Sequence, residues 1–440
     1  MFLILKFGGT SVGSAQRIKD LVNITVNSTP KIVVLSAMSG TTNALFDICQ
    51  KLNEQDVNKA TDLINELKEK YTHVISELFK TNDGLNIATQ LLNTHFTFML
   101  SFTLDVFTKN EEKVILAQGE LLSTALFHFY LKESGISSEI IPALNFMKLN
   151  ENEEPDSDYI EKYLKEELNK HPTQKLFITQ GYICRNVFGE IDNLKRGGSD
   201  YSASIIGAAV NSQEIQIWTD IDGMHNNDPR IVNKTHPINK LSFDEAAELA
   251  YFGAKILHPT CILPAKKKNI PVRLKNTLQP EAQGTLISNL ISNIGIKAVA
   301  AKDGITAINI KSDRMLLAHG FLRAIFEIFE RYKTPIDMIC TSEVAVSLTI
   351  DNNSYLKEIV SELKEIATVE IDENQTIICV VGQLPKETAG FGYIVLKALK
   401  DIPLRMVSYG GSPNNISVLV NSYFKKQALE ALNSHLFNYN

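Results

Sequence analysis

The sequence predicts an α/β protein, with a parallel sheet and ligand-binding turns in its longer N-terminal part and small α+β units after it. Three observations support this. Short apolar runs lead repeatedly into turns rich in glycine and hydroxyls, followed by helical patterns. Two of those turns set paired glycines beside positive charge. From about Ile296 onward, one β-α-β-β-α order occurs twice. With 440 residues and 44% hydrophobic composition, the chain can bury a large core and should divide into about two to four domains.

The opening FLILKFGGTSVGS runs from an apolar stretch (Phe2 to Leu5) into Lys6, Gly8, Gly9, Thr10, Ser11 and Gly13, with a helical pattern from Ala15 to Val22. Adjacent glycines let backbone N–H groups approach an anion, and the following helix adds its unpaired N–H groups and positive dipole end. This reads as a phosphate site, although Gly-Gly after a strand also serves as an ordinary tight turn. A P-loop is excluded because Ser14 and Ala15 follow Gly13, and the lysine precedes the loop. No GxGxxG stands here, so the dinucleotide fingerprint is absent.

A second strand, Ile32 to Leu35, ends in Ser36, Ser39, Gly40, Thr41, Thr42 and Asn43. Ligands gather at the carboxyl ends of parallel strands, so two such turns point to one crevice; a helix N-cap is the plainer use of these residues. Residues from about Ala44 to Phe107 read as helical and carry no evident chemistry. VILAQGELLSTALF reads as a short strand placing Gly119 and Glu120 at a helix start. There Glu120 either complements the helix dipole or receives a substrate ammonium.

SSEIIPALNFMKLN looks like a strand region, and the acidic run from Glu151 to Asp158 a solvated loop before a helix from Tyr159 to Asn169. Further on, Lys195, Arg196, Gly197, Gly198, Ser199 and Asp200 repeat the logic of the opening. Arg196 offers a rigid fork for a carboxylate or phosphate, and Asp200 can fix a nearby lysine or pair with Arg196 itself. A strand from Glu214 to Trp218 ends in TDIDGMHNNDPR, either turn chemistry or a nucleotide rim. After a helix from Phe243 to Tyr251, FGAKILHPT sets Lys255 beyond Gly253.

The net charge of −6 and pI of about 5.9, with no long basic run, argue against nucleic acid or an anionic membrane as partner. Five separated cysteines without a CxxC suit reduced thiols in a cytoplasmic protein, and a zinc site is not expected. The N-terminal apolar run is too short for a signal peptide, and no stretch reads as the roughly 18 apolar residues of a membrane span.

In the C-terminal part, KAVAAKDGITAINIKS suggests two strands and GFLRAIFEIFERYK an amphipathic helix. A paired-strand segment and a second helix follow before the order repeats. The second copy ends on a helix, so Ala298 to Lys302 is expected to supply its closing strand and to set the two copies side by side.

KFGGTS, SGTTN, the Gly119–Glu120 pair, RGGSDYSA, WTDIDG…DPR and FGAKILHP occur in the order found in aspartate kinases, and the two C-terminal units resemble ACT domains. The resemblance covers essentially the whole chain, and GFLRAIFEIFERYKTPIDMICTSEVAVSLTI most resembles the lysine-sensitive, single-function type. It implies an amino-acid-kinase (carbamate-kinase-like) three-layer catalytic domain over residues 1–293. A tandem ACT region would follow over 296–440, its first unit about 304–372 and its second about 375–440, completed by strand 298–302.

The implied reaction is ATP-dependent phosphorylation of the L-aspartate side-chain carboxylate. Lys6, Gly8 and Gly9 would hold the transferring phosphoryl group, and Asp200 would orient Lys6. Arg196 would clamp the substrate α-carboxylate, Glu120 would take its ammonium, and Ser39 and Thr42 would help place it. Thr219, Asp220, Arg230 and Lys255, together with Lys6 and Gly9, match ATP-contacting positions. Mg²⁺ would be held by ATP oxygens and water, so no protein metal ligand is expected. A lysine effector would lie near Met315, Gly320, Phe321, Leu322, Asp337 and Ser342, with Asp337 facing its ammonium. The smallest oligomer expected is a homodimer, and a dimer of dimers is compatible with it. The alternatives are a kinase for another acidic amino acid and an amino-acid sensor without catalysis.

Overall fold

The structure is a computed structural model that describes residues 1–104, 106–194, 197–253, 258–290, 293–311 and 320–437. Arg196, Lys255 and Met315 lie outside the described residues. Two compact units are present: 1–224 with 239–243 and 257–290, and 225–238 with 244–256 and 291–440. Two stretches within the region expected to be catalytic, 225–238 and 244–256, thus fall in the second unit.

The strands are β1 (Leu3–Phe7), β2 (Lys31–Leu35), β3 (Glu139–Ile140), β4 (Leu176–Gln180), β5 (Ile183–Arg185), β6 (Ile191–Asn193), β7 (Glu214–Thr219), β8 (Lys240–Ser242), β9 (Val272–Asn276) and β10 (Thr285–Ser288) in the first unit. All but β5 and β6, which form their own hairpin, make one eight-stranded sheet in the order β3-β4-β2-β1-β7-β9-β10-β8. From β3 to β9 every pairing is parallel, and only β9–β10 is antiparallel. β1, β2 and β4 are almost wholly buried apolar runs, as strands covered on both faces must be.

The helices here are α1 (Ala15–Thr25), α2 (Thr41–Asn53), α3 (Val57–Leu78), α4 (Asn82–Ser101), α5 (Lys109–Glu133), α6 (Ala143–Phe146), α7 (Ser157–Asn169) and α8 (Gly198–Ala209). Buried side chains of α1 to α5 and of β1, β2 and β4 form one core, with Tyr71, Phe96 and Phe127 at its centre.

One expectation fails. VILAQ is not a strand but the middle of α5, so Glu120 does not stand at a helix start. Thr108 and Glu111 close a capping box well upstream, which sets the helix running before the apolar residues begin. By length and composition alone α5 meets the threshold for a helix that could cross a membrane. In the fold, 67% of that apolar window is buried, as in the core helix of a large α/β layer. The segment after it is a strand only at β3, with α6 where more strand was expected.

In the second unit, α9 (Phe243–Tyr251) precedes the C-terminal region; α10 (Leu263–Lys267) belongs to the first unit. The C-terminal strands are β11 (Gly295–Lys311), β12 (Ile339–Thr341), β13 (Ala345–Ile350), β14 (Thr368–Gln383), β15 (Met406–Tyr409) and β16 (Asn415–Asn421). They form one sheet in the order β12-β13-β11-β14-β16-β15. KAVAAKDGITAINIKS is thus one long strand rather than two, with register shifts near Lys302–Ala307 marking its midpoint.

The half of β11 from Ala298 to Lys302 pairs with Ile377–Val381 of β14, while its other half, Thr306–Lys311, pairs with β13. Each copy therefore has its own core. One gathers β13 with α11 (Phe321–Arg331) and α12 (Leu356–Ile366); the other gathers β16 with α13 (Phe391–Ala398) and α14 (Lys425–Leu436).

Candidate active site

The parallel register fixes where the site can be. Phe7 lies beside both Leu35 and Trp218, Leu35 beside Gln180, and Thr219 beside Asn276. The turns after β1, β2, β4, β7 and β9 therefore open on the same edge of the sheet.

Lys6, one residue from the end of β1, is 9% exposed, and its Nζ lies 2.7 Å from Asp200 Oδ1. Asp200 stands in the first turn of α8, where the dipole also favours a carboxylate. Gly197, with φ of +72°, enters that helix from a left-handed conformation, and Cys261 Sγ packs so close that no Cβ fits at position 197. Burial pushes the Cys261 thiol up to about 12. The opening glycine turn and the turn at Gly197–Asp200 thus meet at Lys6, although they are about 190 positions apart.

Gly8 donates its N–H to the Trp218 carbonyl at 3.1 Å, and a Cβ on it would sit 3.7 Å from Lys6 Nζ. A Cβ on Gly9 would reach 2.9 Å from the Ala37 carbonyl oxygen, and Ser39 donates its N–H to the Gly9 carbonyl at 3.0 Å. The first two turns are therefore locked edge to edge. Ser39 is exposed, and Thr42 lies in the first turn of α2, which Gly40 enters with φ of +77°. Tyr71 of α3 hydrogen-bonds with Thr41 at 3.0 Å to hold this turn from beneath.

Glu120 reaches the same turn from the body of α5. Its Oε1 accepts the Ala37 N–H at 3.1 Å, and a Cβ on Gly119 would come within 2.7 Å of Ala37 Cβ. Glycine at 119 lets the helix close on the turn. Glu120 is 4% exposed, and burial pushes its carboxyl up to about 7 against the pull of the Ala37 N–H and of Lys6. Among the described residues no cation lies within hydrogen-bond distance of this buried carboxylate.

Thr219 ends β7, and its hydroxyl donates to Asp220 at 3.1 Å. Arg230 belongs to the second unit, where its guanidinium forks onto Asp228 through contacts of 2.9 and 2.7 Å. Of the effector positions, Gly320 caps α11 with φ of +94°, followed by Phe321 and Leu322. Ser342 closes the turn before β13, and the Asp337 side chain is buried although its residue as a whole is half-buried.

Three residues at this edge escape the sequence reading. Tyr182 follows β4 with φ of +65°, donates its N–H to Ser202 at 2.9 Å, and has its phenol pushed up to about 12 by burial and then by Glu120. Its position after a parallel strand end was a usable signal. Lys70 of α3 donates to the Ser39 carbonyl at 2.6 Å, and Thr277 links Ser11 to the Thr219 carbonyl. Nothing local marks either of these. Among the described residues, no group of three or more His, Cys, Asp or Glu side chains is arranged to hold a metal.

Lys6 and the glycine turn after β1 thus share one sheet edge with the buried Glu120 carboxylate, setting positive and negative charge side by side at the ends of parallel strands. Residues 1–276 match the amino acid kinase family and residues 378–436 an ACT domain, and the chain belongs to the amino acid kinase family. Relatives that match nearly the whole chain include aspartokinases. It is 30% identical to the lysine-sensitive aspartokinase 3 of Escherichia coli, over 99% of each chain. It is 33% identical to the chloroplastic aspartokinase 3 of Arabidopsis thaliana, over 99% of this chain and 81% of that one. The crystal structure of E. coli aspartokinase III with aspartate and ADP superposes with a TM-score of 0.84, covering both chains completely at 30% identity.

Proposed function

We infer that this protein is an aspartate kinase. It transfers the γ-phosphoryl group of ATP to the side-chain carboxylate of L-aspartate, giving 4-phospho-L-aspartate, the first step of aspartate-family amino acid biosynthesis. The observation that carries the reading is the convergence of the Lys6–Asp200 pair, the Gly8–Gly9 turn and buried Glu120 on one sheet edge.

The acceptor carboxylate is already ionised at neutral pH, so no general base is needed. The barrier is instead the approach of two anions, lowered by positioning and charge neutralisation. Lys6 and the Gly9 amide stabilise the transferring group, and Asp200 aims the Lys6 ammonium; the Gly8 N–H, expected to share that task, is instead taken up by the Trp218 carbonyl, which ties the turn to β7. Glu120 takes the aspartate ammonium, Ser39 and Thr42 place the substrate, and Arg196 clamps its α-carboxylate. The resemblance adds Thr219, Asp220, Arg230 and Lys255 as ATP contacts. Mg²⁺ enters with ATP, coordinated by phosphate oxygens and water.

Residues 1–293 are read as the catalytic region and 296–440 as the regulatory one, in a cytoplasmic homodimer or dimer of dimers. A second E. coli aspartokinase III structure contains lysine and aspartate. Lysine is accordingly the effector we assign to the region of Met315, Gly320, Phe321, Leu322, Asp337 and Ser342. The test is hydroxamate formation from ATP with aspartate or with glutamate. Turnover of aspartate alone supports the assignment, preference for glutamate redirects it, and amino-acid binding without turnover leaves a sensor.

A further inference from the structure

The second unit contains an ammonium cage that the chain fills itself. Lys302, at the midpoint of β11, places Nζ 2.8 Å from Asp337 Oδ1, 2.8 Å from Asp351 Oδ2 and 4.3 Å from the centroid of the Tyr251 ring. The Tyr251 hydroxyl, at the end of α9, donates to the same Asp337 oxygen at 2.6 Å. Two carboxylates and an aromatic face are the set of acceptors that recognises a primary ammonium.

The cage is not saturated. Among the described residues its two carboxylates face one ammonium, so a formal negative charge remains. The Asp337 side chain is 1% exposed, and its Oδ2 is buried with no hydrogen-bond partner among the described residues. A buried acceptor left in that condition is costly unless something else supplies a donor.

We propose that Lys302 is a tethered competitor, whose ammonium partly neutralises Asp337 and so weakens the binding of an ammonium-bearing effector at that carboxylate. The proposal rests on the reading that Asp337 faces the effector. Lysine sensitivity is then set by a residue that need not touch lysine. For an incoming ammonium the unpartnered Oδ2 is the remaining acceptor, reached only when the buried carboxylate opens to the effector, and there the ammonium meets the like charge of Lys302 in a site of low dielectric.

Calorimetric titration of the full chain with L-lysine tests this in the wild type, Lys302→Gln, Lys302→Arg, and Lys302→Gln combined with Asp337→Asn. Lys302→Gln should bind lysine about tenfold or more tightly than wild type, as expected when a like charge worth about one pKa unit or more is removed. Lys302→Arg, which keeps the charge, should not gain, and the double variant should lose the gain. Equal or weaker binding by folded Lys302→Gln, an equal gain in Lys302→Arg, or tight binding that survives Asp337→Asn each overturns the proposal. If Lys302→Gln folds only with ligand, L-lysine should restore its folded circular dichroism spectrum, and failure to do so counts against the proposal in the same way. Hydroxamate formation by the wild type is measured in the same preparation. Its absence would sink the kinase assignment, whereas unchanged lysine affinity with normal turnover would sink only the role of Lys302.

Discussion

In the proposed reaction Lys6 and Glu120 carry opposite tasks. Lys6→Ala removes the cation at the transferring group while leaving Asp200 at a partly open helix start. Turnover should fall by about 10²-fold or more, the range for loss of one preorganised charge donor, with an unchanged circular dichroism spectrum. Near-normal turnover would contradict its role. Glu120 has its carboxyl raised to about 7, so between its ordinary value of 4.5 and 7 the folded chain binds more protons than the unfolded one. Stability from this group is therefore greatest at low pH and declines as pH rises through that window. Glu120→Gln should stabilise the ligand-free protein by about 1–2 kcal/mol at pH 8, seen as a higher melting temperature, while aspartate use collapses. In the wild type, kcat/KM for aspartate should drop about tenfold per pH unit below 7, because the proton on Glu120 must leave before the substrate ammonium can pair. A profile that is the same in Glu120→Gln would show that another group titrates.

At the scale of elements, the close approaches decide what each glycine does. Gly119→Ala should favour α5 by about 1 kcal/mol on helix propensity alone, yet its Cβ would meet Ala37 Cβ at 2.7 Å. We expect near-neutral stability with a loss of roughly 10-fold or more in kcat/KM for aspartate, because the turn that places the substrate must move. Gly253→Ala acts differently. Its φ of +123° and a Cβ placed 2.1 Å from the Ala301 carbonyl oxygen should destabilise the second unit by more than about 1 kcal/mol, read by thermal denaturation. The strand ends and glycine turns at Lys6, Ser39 and Gly197 were legible from local sequence because their signals are short-range. The membership of VILAQ in a long helix was not, since its helical start lies at the Thr108 cap and its β-branched residues read equally well as strand. Tyr71, Lys70 and Thr277 were invisible, because each reaches its turn from an element distant in sequence.

For the whole molecule, the doubled β-α-β-β-α order was visible as a repeat, but its execution was not. Two strands, β11 and β14, run through both copies and pair along nearly their full length, so the copies share one sheet. If that region senses an end product, lysine should change the apparent aspartate affinity about 5- to 150-fold, the usual span of allosteric coupling. Kinetics unaltered by lysine, threonine and methionine would remove regulation from the account. Light scattering at micromolar concentration should give at least a dimer.

The sequence by itself determined the parallel α/β class, the cationic glycine turns and the paired regulatory repeats, because strand period, turn chemistry and helix caps act over a few residues. Tertiary structure alone decided that Glu120 arrives from mid-helix, that Asp200 and Lys6 share a charge contact, and that Lys302 sits in a cage of carboxylates. Those are meetings of side chains far apart along the chain, where burial rather than local propensity sets both the position and the charge.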